Sequence, residues 1–173
     1  MPRDVKSTAQ LLHRASFKLI VDAYDSFGGI TDKGFPGRPR TYSPYNAFMK
    51  ANMSSAIDKS SGIPVIDYSK LVVSEGSLPV VDVTGSVTPA GISISYETDT
   101  EMAKVLPSDQ MVAFFMTKKG SLRIVRQARG SDALGTILIP SPGITAADVV
   151  CCYVFALNAD GTKASNSVYV AVV

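Results

Sequence analysis

The chain has 173 residues and a formal net charge of +2; 46% of its residues are hydrophobic and 18% are charged. A chain of this length and apolar content can bury a hydrophobic core, and its composition is not that of a disordered protein. The net charge is too close to zero to indicate a nucleic-acid or membrane partner by itself. Residues 1–70 carry ten Lys and Arg against six Asp and Glu, which is only a mild basic bias.

The N-terminal residues lack the apolar stretch of a signal peptide, and no run of the sequence is long and apolar enough to span a membrane. We therefore expect synthesis in the cytoplasm, no signal peptide and no membrane span. A virion is one destination compatible with these features.

The segment that begins at Ser7 is predicted to form the first helix. Ser7 and Gln10 have the spacing of a capping box, in which each side chain bonds the backbone N–H of the other residue. The glycine pair at 28–29 ends the helix. Apolar residues recur at helical spacing on two adjoining stripes. The first stripe consists of Leu12, Ala15, Leu19 and Ala23, and the second of Leu11, Ile20 and Phe27.

A connection rich in Gly and Pro, residues 28–42, follows and is expected to lack regular structure. Ser43 and Pro44 then begin a second helix as its N-cap and its first helical residue, where the missing proline N–H costs nothing. Residues 1–64 are thus predicted to form an N-terminal helical region. The apolar face of the second helix consists of Tyr45, Phe48, Met49, Met53, Ala56 and Ile57.

From Val65 onward the apolar period changes from about 3.6 residues to 2, which indicates extended structure. Residues 65–74 are predicted to join the helical region to a set of short strands with turn residues between them. Seven such strands predict an α+β, mainly β fold, in which residues 65–173 form the joining strand and an immunoglobulin/fibronectin-III-like antiparallel β-sandwich. The predicted strands are Val80–Val83, Ile92–Tyr96, Met111–Thr117, Leu122–Gln127, Thr136–Ile139, Val149–Leu157 and Val168–Val173.

The two most apolar strands, residues 149–157 and 168–173, are joined at the turn "NADG". Their unbroken apolar character predicts that they lie side by side with both faces covered. Cys151 and Cys152 are neighbours on the first of these strands and therefore point to opposite faces, so a disulfide between them would be strained. No Lys, Arg or His is adjacent to lower a thiol pKa, and we expect two buried, unreactive thiols.

Four segments of the sequence occur in a characteristic order. The most specific are "IDYSK" followed by S-x-G-S-L-P, and the C-terminal D-G-x-x-x-S-N-S-V-Y; "AQLL" and "YNAFMKANMSSAI" precede them. Together these segments resemble a family of unknown function that is widespread in Bacteroidetes. The resemblance implies a shared fold and an origin in such a bacterium or one of its phages, and it supplies no mechanism. Members of that family typically carry a Gly-rich segment before "AQLL", which this chain lacks.

No pattern of catalytic or metal-binding residues is evident in the sequence. His13 is the only histidine, and phosphate-binding, nucleophile-elbow and zinc-protease motifs are absent. Glu97, Asp99 and Glu101 would share one face of an extended chain, which would suit Ca²⁺ or paired carboxylates. A solvated strand end or loop is the favoured interpretation, because no calcium-loop spacing or Gly accompanies them. Asp160 has the position of a turn residue. We predict no catalytic residue, no metal site and no cofactor.

The basic loop Gly37–Tyr45 is the candidate interface. Arg38 and Arg40 alternate there with Tyr42 and Tyr45, a mixture that suits phosphate contact with base stacking and equally suits a protein–protein contact. A solvated loop with one tyrosine anchoring the second helix is the alternative. A second basic group, on a predicted hairpin, is divided because strand alternation places Arg123 and Arg126 on opposite faces. That group comprises Lys118, Lys119, Arg123, Arg126 and Arg129.

Two functions are compatible with these features. The first is a non-enzymatic structural or interaction protein that assembles with itself or with other proteins, for example in a phage capsid, tail or fibre. The second is an immunoglobulin-like binding module that recognises a protein or carbohydrate ligand through its loops. Nucleic acid is a weaker candidate partner, and the absence of tryptophan argues against stacking on sugars.

Overall fold

The computed structural model describes residues 7–79, 82–98 and 105–173. This part of the chain is mostly β-structure, with three antiparallel sheets and three α-helices. The prediction of a mainly β protein with N-terminal helices is therefore confirmed at that level. Within these residues, no helix is long and apolar enough to cross a membrane.

The first helix, α1, spans Thr8–Phe27. Its capping box is confirmed, because Ser7 Oγ accepts the N–H of Gln10 and Gln10 Oε1 accepts the N–H of Ser7. The predicted first stripe is misplaced: Ala15 is exposed, and the buried face is centred on Ser16 instead. A serine can lie there because its hydroxyl donates to the carbonyl of Leu12 at 2.8 Å. The buried residues of α1 are Ser16, Ile20, Ala23 and Phe27.

The connection that follows is not wholly irregular, which corrects the prediction for residues 28–42. It contains a short helix, α2, over Ile30–Gly34. The next helix, α3, spans Pro44–Asn52 and begins as predicted, with Ser43 Oγ accepting the N–H of Asn46. It ends before the last predicted apolar positions. Ile57 instead belongs to a two-residue strand.

The joining segment is extended only at its start. Strands β1 (Ile57–Asp58) and β2 (Val65–Ile66) form a small antiparallel pair. A 3₁₀ turn over Tyr68–Lys70 then interrupts the predicted extended run, because the Asp67 carboxylate accepts the N–H of Ser69 and fixes the turn. The turn is anchored to the sheet, since Tyr153 Oη donates to the carbonyl of Tyr68 at 2.6 Å.

The remaining strands form two larger antiparallel sheets. One has the strand order β3-β4-β7 and the other β6-β5-β8-β9. A second 3₁₀ turn, Ala146–Asp148, precedes β8. The strands are β3 (Val83–Thr88), β4 (Gly91–Glu97), β5 (Gln110–Thr117), β6 (Leu122–Ala128), β7 (Leu134–Pro140), β8 (Val149–Leu157) and β9 (Val168–Tyr169).

Two strand predictions need correction. The predicted strand Val80–Val83 overlaps β3 only at Val83, and Val80 and Val81 lie outside the described residues. Most of β3 was not predicted because Gly85 occupies one of its buried positions and breaks the apolar alternation. Glycine is needed there, since a Cβ would meet the side chain of Val170. The predicted final strand, 168–173, keeps its sheet pairing only over β9, after which Val172 bridges Gly85 of the other sheet and Val173 is exposed.

The sheet β6-β5-β8-β9 separates two apolar cores. Alternate residues of β5 and β8 face the helices on one side and the sheet β3-β4-β7 on the other. On the helix side, Phe27 packs edge-on against Phe114 with ring centroids 5.4 Å apart. On the other side, Ile94 and Ile137 meet Phe115 and Val154. The prediction that both faces are covered is confirmed for strand 149–157 and is wrong for residues 168–173, where Tyr169, Ala171 and Val173 are exposed.

Candidate functional site

The basic loop and helix α3 enclose a cleft of about 440 Å³. Arg38 and Tyr42 line it from the loop, Lys50 from α3, and Glu75 with Gly76 from the segment after the 3₁₀ turn. We call this the loop–α3 cleft. It brings two of the four predicted interface residues, Arg38 and Tyr42, together with Lys50 and Glu75, which lie outside the loop.

Arg38 holds the loop in shape. Its Nε donates to the carbonyl of Tyr42 at 3.1 Å, and its Nη1 donates to the carbonyl of Phe35 at 2.8 Å. Both acceptors are backbone groups of the same loop, so the half-buried guanidinium is fixed before any ligand arrives. The loop closes further where the Tyr42 N–H donates to the carbonyl of Pro39 at 2.8 Å.

The other predicted interface residues divide between the cleft and the core. The Lys50 ammonium lies 5.6 Å from the ring centroid of Tyr42, which links α3 to the loop. Tyr45 is half-buried and packs edge-on against Tyr24, with ring centroids 5.2 Å apart, so it anchors α3 to α1. Arg40 is exposed in the turn and does not line the cleft.

The wall that carries Glu75 and Gly76 is held by the C-terminal segment. Ser74 Oγ lies within hydrogen-bonding distance of the carbonyls of Ser165, at 2.7 Å, and Gly34, at 3.0 Å. Asn166 Oδ1 accepts the N–H of Gly76 at 3.2 Å. Gly76 is required because a Cβ there would overlap the carbonyl of Ala164. The two most specific motifs of the sequence therefore contact each other here.

Asn52 fixes α3 to the same wall, and the sequence analysis missed it. Its Nδ2 donates to the carbonyl of Val72 at 2.8 Å, and its Oδ1 accepts the N–H of Val72 at 2.7 Å. A further bond from Nδ2 reaches the carbonyl of Phe48 at 2.9 Å. Asn52 is fully buried. Its position as a polar residue on the buried stripe of an amphipathic helix was the one feature of the sequence that could have indicated this hydrogen-bonding role.

The acidic trio is only partly described. Glu97 is exposed at the end of β4, whereas Asp99 and Glu101 lie outside the described residues. Among residues 7–79, 82–98 and 105–173, no three His, Cys, Asp or Glu side chains are placed to hold a metal ion. His13 is exposed on α1, and Asp160 lies in the turn between β8 and β9.

The second basic group does not form one patch. Arg123 and Arg126 alternate along β6, as predicted. Arg129, by contrast, is buried at 3% exposure, and its Nη1 lies 3.9 Å from the buried carboxylate of Asp109. Burial lowers the pKa of the Arg129 guanidinium, and the charge of Asp109 opposes that shift. This ion pair was missed because the hairpin pattern placed Arg129 at the surface.

Both thiols are buried, as predicted. Cys151 faces the helix-side core and Cys152 faces the core between the two larger sheets. Burial raises the pKa of each thiol to about 12, so both stay protonated at neutral pH. Neither cysteine has the low-pKa, accessible environment of a nucleophile.

A second surface emerges on the side of the sheet β3-β4-β7 that faces away from the core. Its exposed apolar residues are Leu134, at 70% exposure, and Leu138, at 42%, both on β7. We call this surface the outer face. It consists of Thr84, Ser86, Ser93, Ser95, Glu97, Leu134, Thr136 and Leu138.

Residues 2–171 match the sequence profile of a family of unknown function, DUF6266. The chain belongs to this family. The predicted resemblance to a family without an assigned activity agrees with that membership. Comparison with curated proteins and with solved structures finds no match for this DUF6266 chain. Its function therefore has to be inferred from the surfaces described above.

Proposed function

We propose that this DUF6266 chain is a non-enzymatic structural or interaction protein that associates with copies of itself through the outer face. Such association would make it part of a larger assembly, and a phage virion is one assembly of that kind. The observation that carries the proposal is the composition of the outer face, in which small hydroxyl side chains cover β3 and β4 and two exposed leucines lie beside them on the edge strand β7.

The strand register explains why this face is flat. Ser95 lies opposite Thr84 on β3 and opposite Thr136 on β7, so a row of short side chains crosses the whole sheet. The next row, through Ser93, ends on β7 at Leu138. Long polar side chains, which keep many sheet faces soluble, are replaced here by Ser and Thr.

The charge of the outer face suits a second copy. Its charge lies at one end, where Glu97 ends β4 and the exposed Asp82 borders it, with the Asp82 carbonyl accepting the Glu97 N–H. Two copies related by a two-fold axis can therefore place these carboxylates at opposite ends of the contact. In a two-fold contact each leucine position contributes once from each copy, and burying its exposed part stabilises by a fraction of the roughly 1.5–3 kcal/mol of full burial. Leu134 and Leu138 would then supply the apolar part of the contact.

We also propose that the two larger sheets form an immunoglobulin/fibronectin-III-like sandwich. Seven strands divide into β3-β4-β7 and β6-β5-β8-β9, and apolar residues of both sheets share one core. In an immunoglobulin constant domain the fourth strand pairs with the fifth. Here the fourth strand of the set, β6, pairs with the third, β5, which leaves β7 at the edge of the smaller sheet.

A cross-linking experiment tests the proposed contact. Because both native thiols are buried, a cysteine introduced by Ser95→Cys would be the accessible one. Mild oxidation of the Ser95→Cys variant should yield a covalent dimer, whereas the matched variant Ser60→Cys, exposed on the loop between β1 and β2, should stay monomeric. Equal dimer yields from both variants at equal concentration would contradict the proposal.

A binding module is the second candidate, and the loop–α3 cleft favours it. The cleft is concave and lies among loops, and its volume falls within the range of ligand sites, roughly 300–1,000 Å³. Assembly through the outer face and recognition through the cleft use separate residues, so one protein can do both.

A further inference from the structure

We infer that the loop–α3 cleft binds an acidic peptide segment of a protein partner, whose carboxylate side chain is held by Arg38 and Lys50. This inference uses none of the outer-face residues and stands independently of the proposed self-association.

The charges that line the cleft favour an anionic ligand. Arg38 and Lys50 are cations on two different walls, one in the loop and one on α3, and Glu75 is the one carboxylate that lines it. The resulting excess of one positive charge suits a single carboxylate. A nucleic acid would be expected to engage several cations along its phosphates, which this cleft does not offer.

Arg38 is prepared for such a ligand. A guanidinium has five N–H donors, and the two described bonds to Phe35 and Tyr42 use one donor on Nε and one on Nη1. The other three donors, on Nη1 and Nη2, remain for a carboxylate, which can accept two of them side by side. Because the side chain is already ordered, binding costs little conformational entropy.

The rest of the cleft suits a short peptide. Phe35 and Ala47 are buried and provide an apolar floor beneath the charged rim. A volume of about 440 Å³ accommodates one or two side chains rather than a whole helix. Asn52 and Ser74 fix the two walls through hydrogen bonds, so the cleft is open before the ligand arrives.

The test uses fluorescence anisotropy with the full chain and a labelled peptide of alternating Glu and Leu, at low and at physiological salt. A peptide of alternating Lys and Leu and a single-stranded oligonucleotide of equal length are the comparison probes. We expect micromolar binding of the Glu peptide that weakens as salt is raised, with weaker binding of the oligonucleotide and none of the Lys peptide. Equal binding of both peptides, tighter binding of the oligonucleotide, or no binding of the Glu peptide would overturn the inference.

Variants locate the site. Lys50→Glu should weaken binding about tenfold or more, whereas Lys59→Gln, at an exposed position away from the cleft lining, should leave it unchanged. Glu75→Gln should tighten binding severalfold because it removes the repelling carboxylate, and a folding defect cannot mimic such a gain. Unchanged affinity in both Lys50→Glu and Glu75→Gln would overturn the assignment to this cleft. Dimerisation of the Ser95→Cys variant is measured in a separate experiment, so self-association and peptide binding can each be refuted independently.

Discussion

Replacing Asn52 by Ala would remove the side chain that fastens α3 to the segment behind the cleft. The N–H and the carbonyl of Val72 would each lose their bond to Asn52, at 2.7 and 2.8 Å, in a partly buried environment. A buried polar group left without a partner costs about 1–3 kcal/mol. The better helix propensity of Ala returns roughly 0.5 kcal/mol. With two such groups, we expect Asn52→Ala to lower the free energy of unfolding by about 1.5–5.5 kcal/mol.

Urea unfolding followed by circular dichroism measures this change. The matched control is Asn46→Ala, which removes the same side chain from an exposed position on the same helix and should stay within about 0.5 kcal/mol of the wild type. The slope of the transition should be alike in all three proteins, since the change acts on the native contacts. An Asn52→Ala midpoint equal to that of Asn46→Ala would refute the clamping role of Asn52.

Two further predictions concern buried groups. Because burial raises the pKa of Cys151 and Cys152 to about 12, we expect neither thiol to react with a thiol reagent in the native protein at pH 8. The free energy of unfolding should be retained below about pH 9 and should fall as pH rises toward 12, by up to about 1.4 kcal/mol per pH unit for each thiol. Rapid labelling of the native protein, or unfolding midpoints that do not change between pH 9 and 10.5, would contradict this. At the buried ion pair, Arg129→Met alone should cost about 3–5 kcal/mol in urea unfolding because the charge of Asp109 loses its partner. Combining Arg129→Met with Asp109→Asn, which removes that charge and keeps an acceptor for the Leu106 N–H, should recover most of the loss; additive losses would show that the two side chains are not coupled.

Local rules predicted the parts of the fold that depend on neighbouring residues. The capping box of Ser7 and Gln10 and the N-cap at Ser43 were predicted because each partner lies three residues away. The strand β4 was predicted because its apolar alternation matches the burial of one face, and β5 and β8 were predicted because their unbroken apolar runs match burial on both faces. Most of β3 was not predicted because a glycine occupies one of its core positions, where the close approach of Val170 leaves no room for a side chain.

The part of the candidate site that lies within one loop was predictable from local sequence. Arg38 and Tyr42 belong to one loop and could be selected together from its sequence. Lys50 and Glu75 reach the cleft from α3 and from the joining segment, and only the tertiary structure brings them to it. The bond between Val73 and Ser167 spans 94 residues of sequence, so no local pattern could have indicated it.

Arg129 was wrongly grouped with the exposed basic residues that precede it in the sequence. Its neighbours in the second basic group are exposed, but the chain turns inward after β6 and places Arg129 beside Asp109, at the start of the opposing strand. The Tyr96 hydroxyl donates to the carbonyl of Arg129 at 3.0 Å, which ties β4 to this buried site. Hairpin alternation extends only as far as the pairing does, which is why the exposed pattern stopped at Ala128.

Sedimentation velocity of the wild-type chain over a wide concentration range tests the central claim most directly. We expect a monomer of 18.3 kDa at low concentration to convert to dimers or larger species as concentration rises. Leu138→Glu should abolish that conversion, whereas Leu11→Glu, at a comparably exposed leucine on α1, should leave it unchanged. A wild-type chain that stays a single monomeric species at the highest concentration would contradict self-association through the outer face.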